Sequence, residues 1–399
     1  MKAMENRERG GARQYQGAAM RKGWQTKKLG DLVEVQNGYA FSSKDYSESG
    51  HFLMRIGNVQ NGYISTADPK FIKLPSDGSL RRFVLSEDDI LVSLTGNVGR
   101  VGVIQESHLP AALNQRVARI SIRKDSPATR ELLLLFLCSD WFREELISAG
   151  HGAAQQNVST KDLVEIEIPV PPLAEQQRIV GVLDEAFEGL ATAKANAAKN
   201  LQNARALFES HLQSVFTQRG PGWVEKSLGE TCEMYQPKTI GTKDLVPDGP
   251  YSVFGANGVI GRYDKFNHEE AQLLVTCRGA TCGSVNISEP NSWITGNAMV
   301  VRPKDHALDL HFLEFVFRGG IDISAAITGA AQPQITRTNL SPLLIRFPKS
   351  VTEQTRLAEK FEDLAEETQR LARLYEQKLA ALEALKKSLL HQAFTGELL

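Results

Sequence analysis

An excess of charge of either sign is missing from this sequence: 46 Lys and Arg stand against 47 Asp and Glu, leaving −1. That excludes a binder relying on surplus positive charge against a polyanion, but not a reader with local basic patches. Long apolar runs are missing too. The longest, Leu132–Cys138, covers seven residues, where a bilayer span needs about 20. No apolar stretch near Met1 marks a secretory leader, so a cytoplasmic chain without membrane contact is expected. The four cysteines (Cys138, Cys232, Cys277, Cys282) form no Cys-x-x-Cys pair and have no histidines clustered around them. Reduced thiols, rather than a zinc site or a disulfide framework, follow. Aromatics are 7% of the chain, yet hydrophobic residues reach 42% and charged residues 23%, a balance that supports folded cores rather than disorder.

Signs of chemistry are also scarce. There is no Gly-x-x-x-x-Gly-Lys-Ser/Thr, so ATP hydrolysis by this chain is not expected. Gly96, Gly99 and Gly102 lack dinucleotide-fingerprint spacing and read as a tight turn. The eight histidines show no metal-ligand spacing, and no carboxylate pair with a nearby Lys stands out as a nuclease centre. Pro171-Pro172 lacks the preceding Asn or Asp of an amino-methyltransferase motif and reads as a helix start. No catalytic residue and no metal ligand is nominated.

What is present is a repeat. Gly23-Trp24 with Leu29-Gly30 recurs as Gly222-Trp223 with Leu228-Gly229. Ile90–Gly96 recurs as Leu273–Gly279, Asn114–Val117 as Asn297–Val300, Gly152–Gln155 as Gly329–Gln332, and Glu175-Gln176 with Arg178 as Glu353-Gln354 with Arg356. Ordered agreement at five places makes chance a poor explanation. The copies draw closer along most of the chain, so the first carries insertions, the largest near its start. Each copy is a mixed segment followed by a long helix. In the mixed segments, Ile90–Leu94, Val117–Ile122, Leu273–Val275 and Met299–Val301 read as buried strands. Helices are expected at about 128–148 and 308–319.

The helical segments carry a heptad rhythm: Leu183, Phe187, Leu190, Lys194, Ala197, Leu201, Ala204 and Phe208, then Leu357, Phe361, Leu364, Thr368, Leu371, Tyr375, Leu379 and Leu382. A helix over 173–216 would run about 66 Å. One such helix cannot bury its seam alone, so two in one chain are expected to pair antiparallel. The expected fold is α+β: two globular heads joined by two long antiparallel coiled-coil helices, pseudo-two-fold symmetric. Pairing between chains is the alternative.

Polar, planar side chains cluster near turns. The first copy has Arg55 and Asn58, Asn97 and Arg100, Asn114-Gln115-Arg116, and Gln155-Gln156-Asn157 with Lys161. The second has Asn257, Arg278, Thr281, Asn297, Gln332, and Gln334 with Arg337. Arginine forks onto guanine, and Asn or Gln pairs with adenine. A single Asn or Gln in a turn usually caps its own backbone; weight comes from clusters recurring in both copies.

The sequence resembles the specificity subunits of type I restriction–modification systems. The resemblance rests on Trp24 with Lys28–Asp31 and Trp223 with Leu228–Glu230, on Phe41–Ser43 with Arg55–Asn58, and on Asp88–Leu91. It rests also on Tyr251–Gly258, Arg278–Thr281, Pro169–Gln176, and the ending Ala393–Leu398. It covers about 24–399, although Pro348-Lys349-Ser350-Val351 departs from the Pro-Pro-Leu that opens the first helix. The resemblance implies target-recognition domains at 23–172 and 222–351, with spacer helices at 173–217 and 352–399, the latter including a C-terminal tail. Residues 1–22 are a basic N-terminal extension, with Met20 as an alternative start. It further implies that each head reads half of a split double-stranded DNA target. The helices would set the half-site spacing (about 34 Å for heads one DNA turn apart) and dock two modification subunits. Those partners would bring S-adenosylmethionine, and restriction subunits would bring ATP and Mg; this chain would bind no cofactor and be non-catalytic alone. A self-sufficient nuclease or methyltransferase, or a coiled-coil adaptor that binds no DNA, remains the alternative.

Overall fold

The computed structural model describes residues 21–150, 157–218, 220–255, 257–329 and 332–398. Most of the basic extension, and Gln155 and Gln156, therefore lie outside the described residues. The chain forms two compact units, Met1–Ala195 with Leu379–Leu399 and Asn196–Lys378. Both are α+β, and each contains part of both long helices, Leu173–Gln218 and Val351–Thr395.

The first unit is built on an antiparallel sheet ordered Val101–Val103, Ile90–Ser93, Val117–Ile122, Val33–Asn37. Ile90–Ser93 is buried throughout, which is why it reads as a continuous apolar run rather than an alternation. The second unit repeats the order with Val285–Ile287, Leu273–Thr276, Ala298–Pro303 and Cys232–Tyr235. The register corrects one detail of the repeat. Ser93 pairs with Val117, and Thr276 with Ala298. Asn297 thus occupies the place of Arg116, not of Asn114. A slip of two residues keeps every side chain on its own face of a strand, so the apolar pattern cannot detect it.

The units differ in their second sheet. The first has five short strands, with Phe52–Met54 parallel to Ala111–Leu113 in the middle. The second has three: the hairpin Tyr251–Gly255/Gly258–Tyr263, with Trp293–Ile294 parallel to it.

The expected helix at 128–148 is two helices, Arg130–Leu137 and Asp140–Ala149. Ser139 breaks it by capping the second, its hydroxyl accepting from Phe142 N. Its counterpart is Leu310–Phe315 followed by a wider π turn, Val316–Gly320. Here glycine is required: a Cβ on Gly319 would stand 2.6 Å from Leu212, and one on Gly320 3.0 Å from Phe216. The absence of both side chains lets the long helix pack closely on this turn.

Each long helix starts on a buried amide. Gln176 is 1% exposed; its Nε2 donates to Pro127 O and Pro171 O, and its Oε1 accepts from Thr129 N, the cap of the head helix. Gln354 is 0% exposed and does the same with Ala307 O, Pro348 O and Asp309 N. The recurring glutamine of the Glu-Gln pair is thereby explained as a staple from helix to head. Seam residues near the helix ends join the head cores: Leu183 and Phe187 with Leu390 and Phe394 in one unit, Phe208, Leu212 and Phe216 with Phe361 in the other. Leu190, Leu201, Leu364, Leu371, Leu379 and Leu382 are half-buried. Lys194 is exposed and pairs with Glu383 at 2.8 Å.

Candidate nucleic-acid interface

In the first unit a cleft of about 460 Å³ is lined by Arg55, Ile56, Gly57, Asp68, Asn114, Gln115 and Arg116. Four of the residues nominated from sequence meet there. Arg55 is held by Asp68, its Nη2 donating to Oδ2 at 3.0 Å and to the carbonyl at 2.7 Å. Hydrogen bonds from Lys70 and then Arg55 keep the Asp68 carboxyl below its usual range. Two buried polar atoms at this cleft, Arg55 Nε and Asn114 Oδ1, have no partner. Arg116 adopts φ +70° and is exposed beside exposed Gln115.

Asn58 does not join them. It is 1% exposed, accepts from Arg55 N and donates to Ser65 O, so its amide holds its own turn. Arg100 donates to Gln60 Oε1 at 2.7 Å. Asn97 and Lys161 are exposed outside the cleft lining.

The second unit has a cleft of about 420 Å³ lined by Met234, Tyr235, Gln236, Arg278, Met299 and Gln334–Arg337. The backbones of Arg278 and Gln334 pair across an antiparallel bridge, as those of Thr95 and Asn157 do in the first unit. Arg116, Arg278 and Arg337 make no ion pair among the described residues, so their forks face no competing carboxylate. Asn257 Oδ1 accepts from Thr281 at 2.8 Å and Thr276 at 3.2 Å, tying the hairpin to the Arg278–Thr281 turn. Asn297 and Gln332 are exposed and do not line the cleft.

Tyr235 and Gln236 escaped the sequence reading. A signal existed: a polar pair stands at the end of the corresponding sheet strand in both copies, Gln36-Asn37 and Tyr235-Gln236. In each unit an arginine reaches across the sheet to orient this position. Arg119 binds Asp89 and Gln36; Arg302 binds Gln272 at 3.1 Å and Tyr235 Oη at 2.8 Å. Tyr235 Oη in turn stands 2.9 Å from His268 Nε2, and His268 Nδ1 2.6 Å from Asn267 Oδ1. Since Asn267 Oδ1 also accepts from Ile294 N, Nδ1 carries the proton and Nε2 accepts from the tyrosine. Burial, and then the charge of Arg302, push the His268 pKa below its ordinary value; burial raises that of Tyr235. In the first unit Asn37 donates to Thr160 Oγ1 at 3.3 Å, bridging the place that is open in the second.

Among the described residues no group of His, Cys, Asp or Glu could hold a metal ion, and no helix is long and apolar enough to cross a membrane. Burial raises the thiol pKa of Cys232 to about 11, so it is no nucleophile at neutral pH.

The class is thus a duplicated α+β protein: one frame used twice, each copy offering arginines and amides from a cleft. The family follows from comparison with known proteins. The type I restriction modification DNA specificity domain matches residues 21–200 and again 221–383, and the chain belongs to that family. It is 31% identical over 172 residues to the EcoAI specificity subunit of Escherichia coli, a match covering 42% of this chain and 28% of that protein. The MjaVIII specificity subunit of Methanocaldococcus jannaschii is 29% identical over 188 residues, covering 46% and 43%. The chain thus spans less than half the length of these two relatives. The StySPI specificity subunit of Salmonella potsdam matches 94% of this chain and 89% of its own length at 21% identity. A solved chain from a study of type I R-M complex assembly and conformational transition shares the fold, with TM-score 0.75 at 20% identity, covering 95% of this chain and 99% of that one. The HsdS subunit of Thermoanaerobacter tengcongensis gives 0.57 at 19%, covering 95% and 98%.

Proposed function

We propose that this chain is the DNA-reading specificity subunit of a type I restriction–modification complex, with one half of a bipartite target read by each unit. The observation that carries this is a repeated frame with unlike clefts: the sheet and the Gln staple recur, and each copy again offers arginines and amides, but from different positions along the chain. Two readers of different half-sites need that division.

In this reading Arg116, Arg278 and Arg337 supply forked donors to base edges, and Gln115 and Gln334 supply amides. Asn97, Lys161, Asn297 and Gln332, exposed outside the cleft linings, supply contacts to phosphate or sugar that fix register. Arg55, Arg100, Asn58, Asn257 and Thr281 hold the loops that carry them. Asn114 lines the first cleft with an unsatisfied acceptor. The long helices set the gap between half-sites and dock two modification subunits, which carry S-adenosylmethionine; restriction subunits carry ATP and Mg. The complex works in the cytoplasm.

The test is methylation mapping in cells carrying this chain with its modification partner. Methyladenines in a split motif with a fixed gap are expected. An active partner that leaves no such motif would overturn the proposal, as would cleavage or methylation by the chain alone.

A further inference from the structure

The hairpin of the second unit places two large aliphatic side chains in water. Val259 is 55% exposed and Ile260 50%. Neighbours on a strand normally point to opposite faces, one of them inward. Here the pairing slips: Val253 faces Gly261, but Phe254 faces Val259. Ile260 is thus the extra residue of a β-bulge, a device that re-aims a side chain. Its new position is accommodated by Gly255, where an added Cβ would stand 2.8 Å from Ile260 Cγ2. Edge strands are commonly protected by charge; this one carries the exposed Arg262, yet shows aliphatic carbon beside it.

The strand is also tied to the reading cleft. Asn257, two residues before Val259, accepts from Thr281 and Thr276, and so anchors the hairpin to the turn that carries Arg278. On a duplex, an exposed aliphatic pair has one complementary feature: the 5-methyl group of thymine in the major groove, the apolar mark in the base-edge code.

We propose that Val259 and Ile260 read thymine methyl groups in the half-site of the second unit. This rests on the DNA-reading function above. The experiment uses the chain assembled with its modification subunits and a duplex carrying the target read from methylation. Thymines of each half-site are replaced singly by uracil, which removes only the methyl group. One or two positions in the second unit's half-site should lose roughly three- to fivefold in affinity, and none in the other half-site should respond. In the double variant Val259→Ser, Ile260→Ser, which removes the side-chain methyl groups, the uracil penalty should fall below about twofold. An equal penalty in both proteins, no sensitive position, or a second half-site without an A·T pair overturns the proposal. So does failure of the variant to assemble with the modification subunits, which would make the hairpin a protein interface. Absence of methylation on any duplex by the native complex would instead defeat the DNA-reading assignment itself.

Discussion

The two units share a frame and differ at the surface it carries. Both have the same four-stranded order, a buried glutamine making three hydrogen bonds at a helix start, and an arginine braced across the sheet. The second sheets have five strands and three. The clefts are assembled from different stretches of the chain, around Arg55 and Asn114–Arg116 in one and Tyr235, Arg278 and Gln334–Arg337 in the other. The difference teaches that packing positions and reading positions are separable. Buried groups are bound to one another, and a change there disturbs many partners; exposed cleft residues can change without disturbing the sheet.

Matched substitutions can break this comparison. The largest effect is expected from Phe216→Ala and Phe394→Ala. These rings pack 5.8 Å from Phe312 and 5.2 Å from Phe136. Each change should destabilise its own unit by about 3–5 kcal/mol, measured by chemical denaturation with unit-specific hydrogen exchange. Unequal losses would show that the frames are not energetically equivalent. Next come Gln176→Ala and Gln354→Ala, which leave a buried amide N–H and two carbonyls without their partner. Each should cost about 2–4 kcal/mol, and an effect below 1 kcal/mol in either unit would remove the staple from the shared frame.

The cleft arginines should behave oppositely. Arg116→Ala and Arg278→Ala should leave stability within about 0.5 kcal/mol, yet each should weaken one half-site by about 1–3 kcal/mol. Methylation of target libraries would reveal it: relaxation of both halves by one substitution would contradict a one-unit, one-half-site division.

A smaller effect separates the units by pH. The His268 pKa is lowered in the fold by burial and Arg302, from an ordinary 6.5. The unfolded chain therefore takes the proton first. The stability His268 contributes is whole above pH 6.5 and declines as pH falls through the lowered value. Between pH 7 and 5 the second unit should lose stability more steeply than its His268→Gln variant; parallel curves would refute the linkage. The smallest effect is expected for Lys194→Ala, whose exposed pair with Glu383 should contribute under about 1 kcal/mol.

Much of the frame was legible in the residues. Ile90–Ser93 and Leu273–Thr276 read as buried strands because three consecutive apolar residues in each leave no polar alternation. The long helices follow from a sustained heptad pattern. The cleft was legible only in composition. Asn58 and Gln115 are both amides near turns, but one is sealed in its loop and the other exposed. Residue type does not say whether a side chain will satisfy its own backbone. Tyr235 and Gln236 were missed because a strand-end pair carries no periodic signal.

Taken alone, the sequence determined that this protein is a duplication, which stretches form the two central strands of each repeated sheet and the long helices, and that it lacks the motifs of a phosphate or metal site. Those properties depend on local periodicity and spacing. Only the tertiary structure decided that Asn297 stands in the place of Arg116 rather than of Asn114, because strand patterns are blind to a two-residue slip. It also decided which arginines remain without a carboxylate, and that a bulge turns Ile260 outward, because both depend on partners distant along the chain or on pairing register.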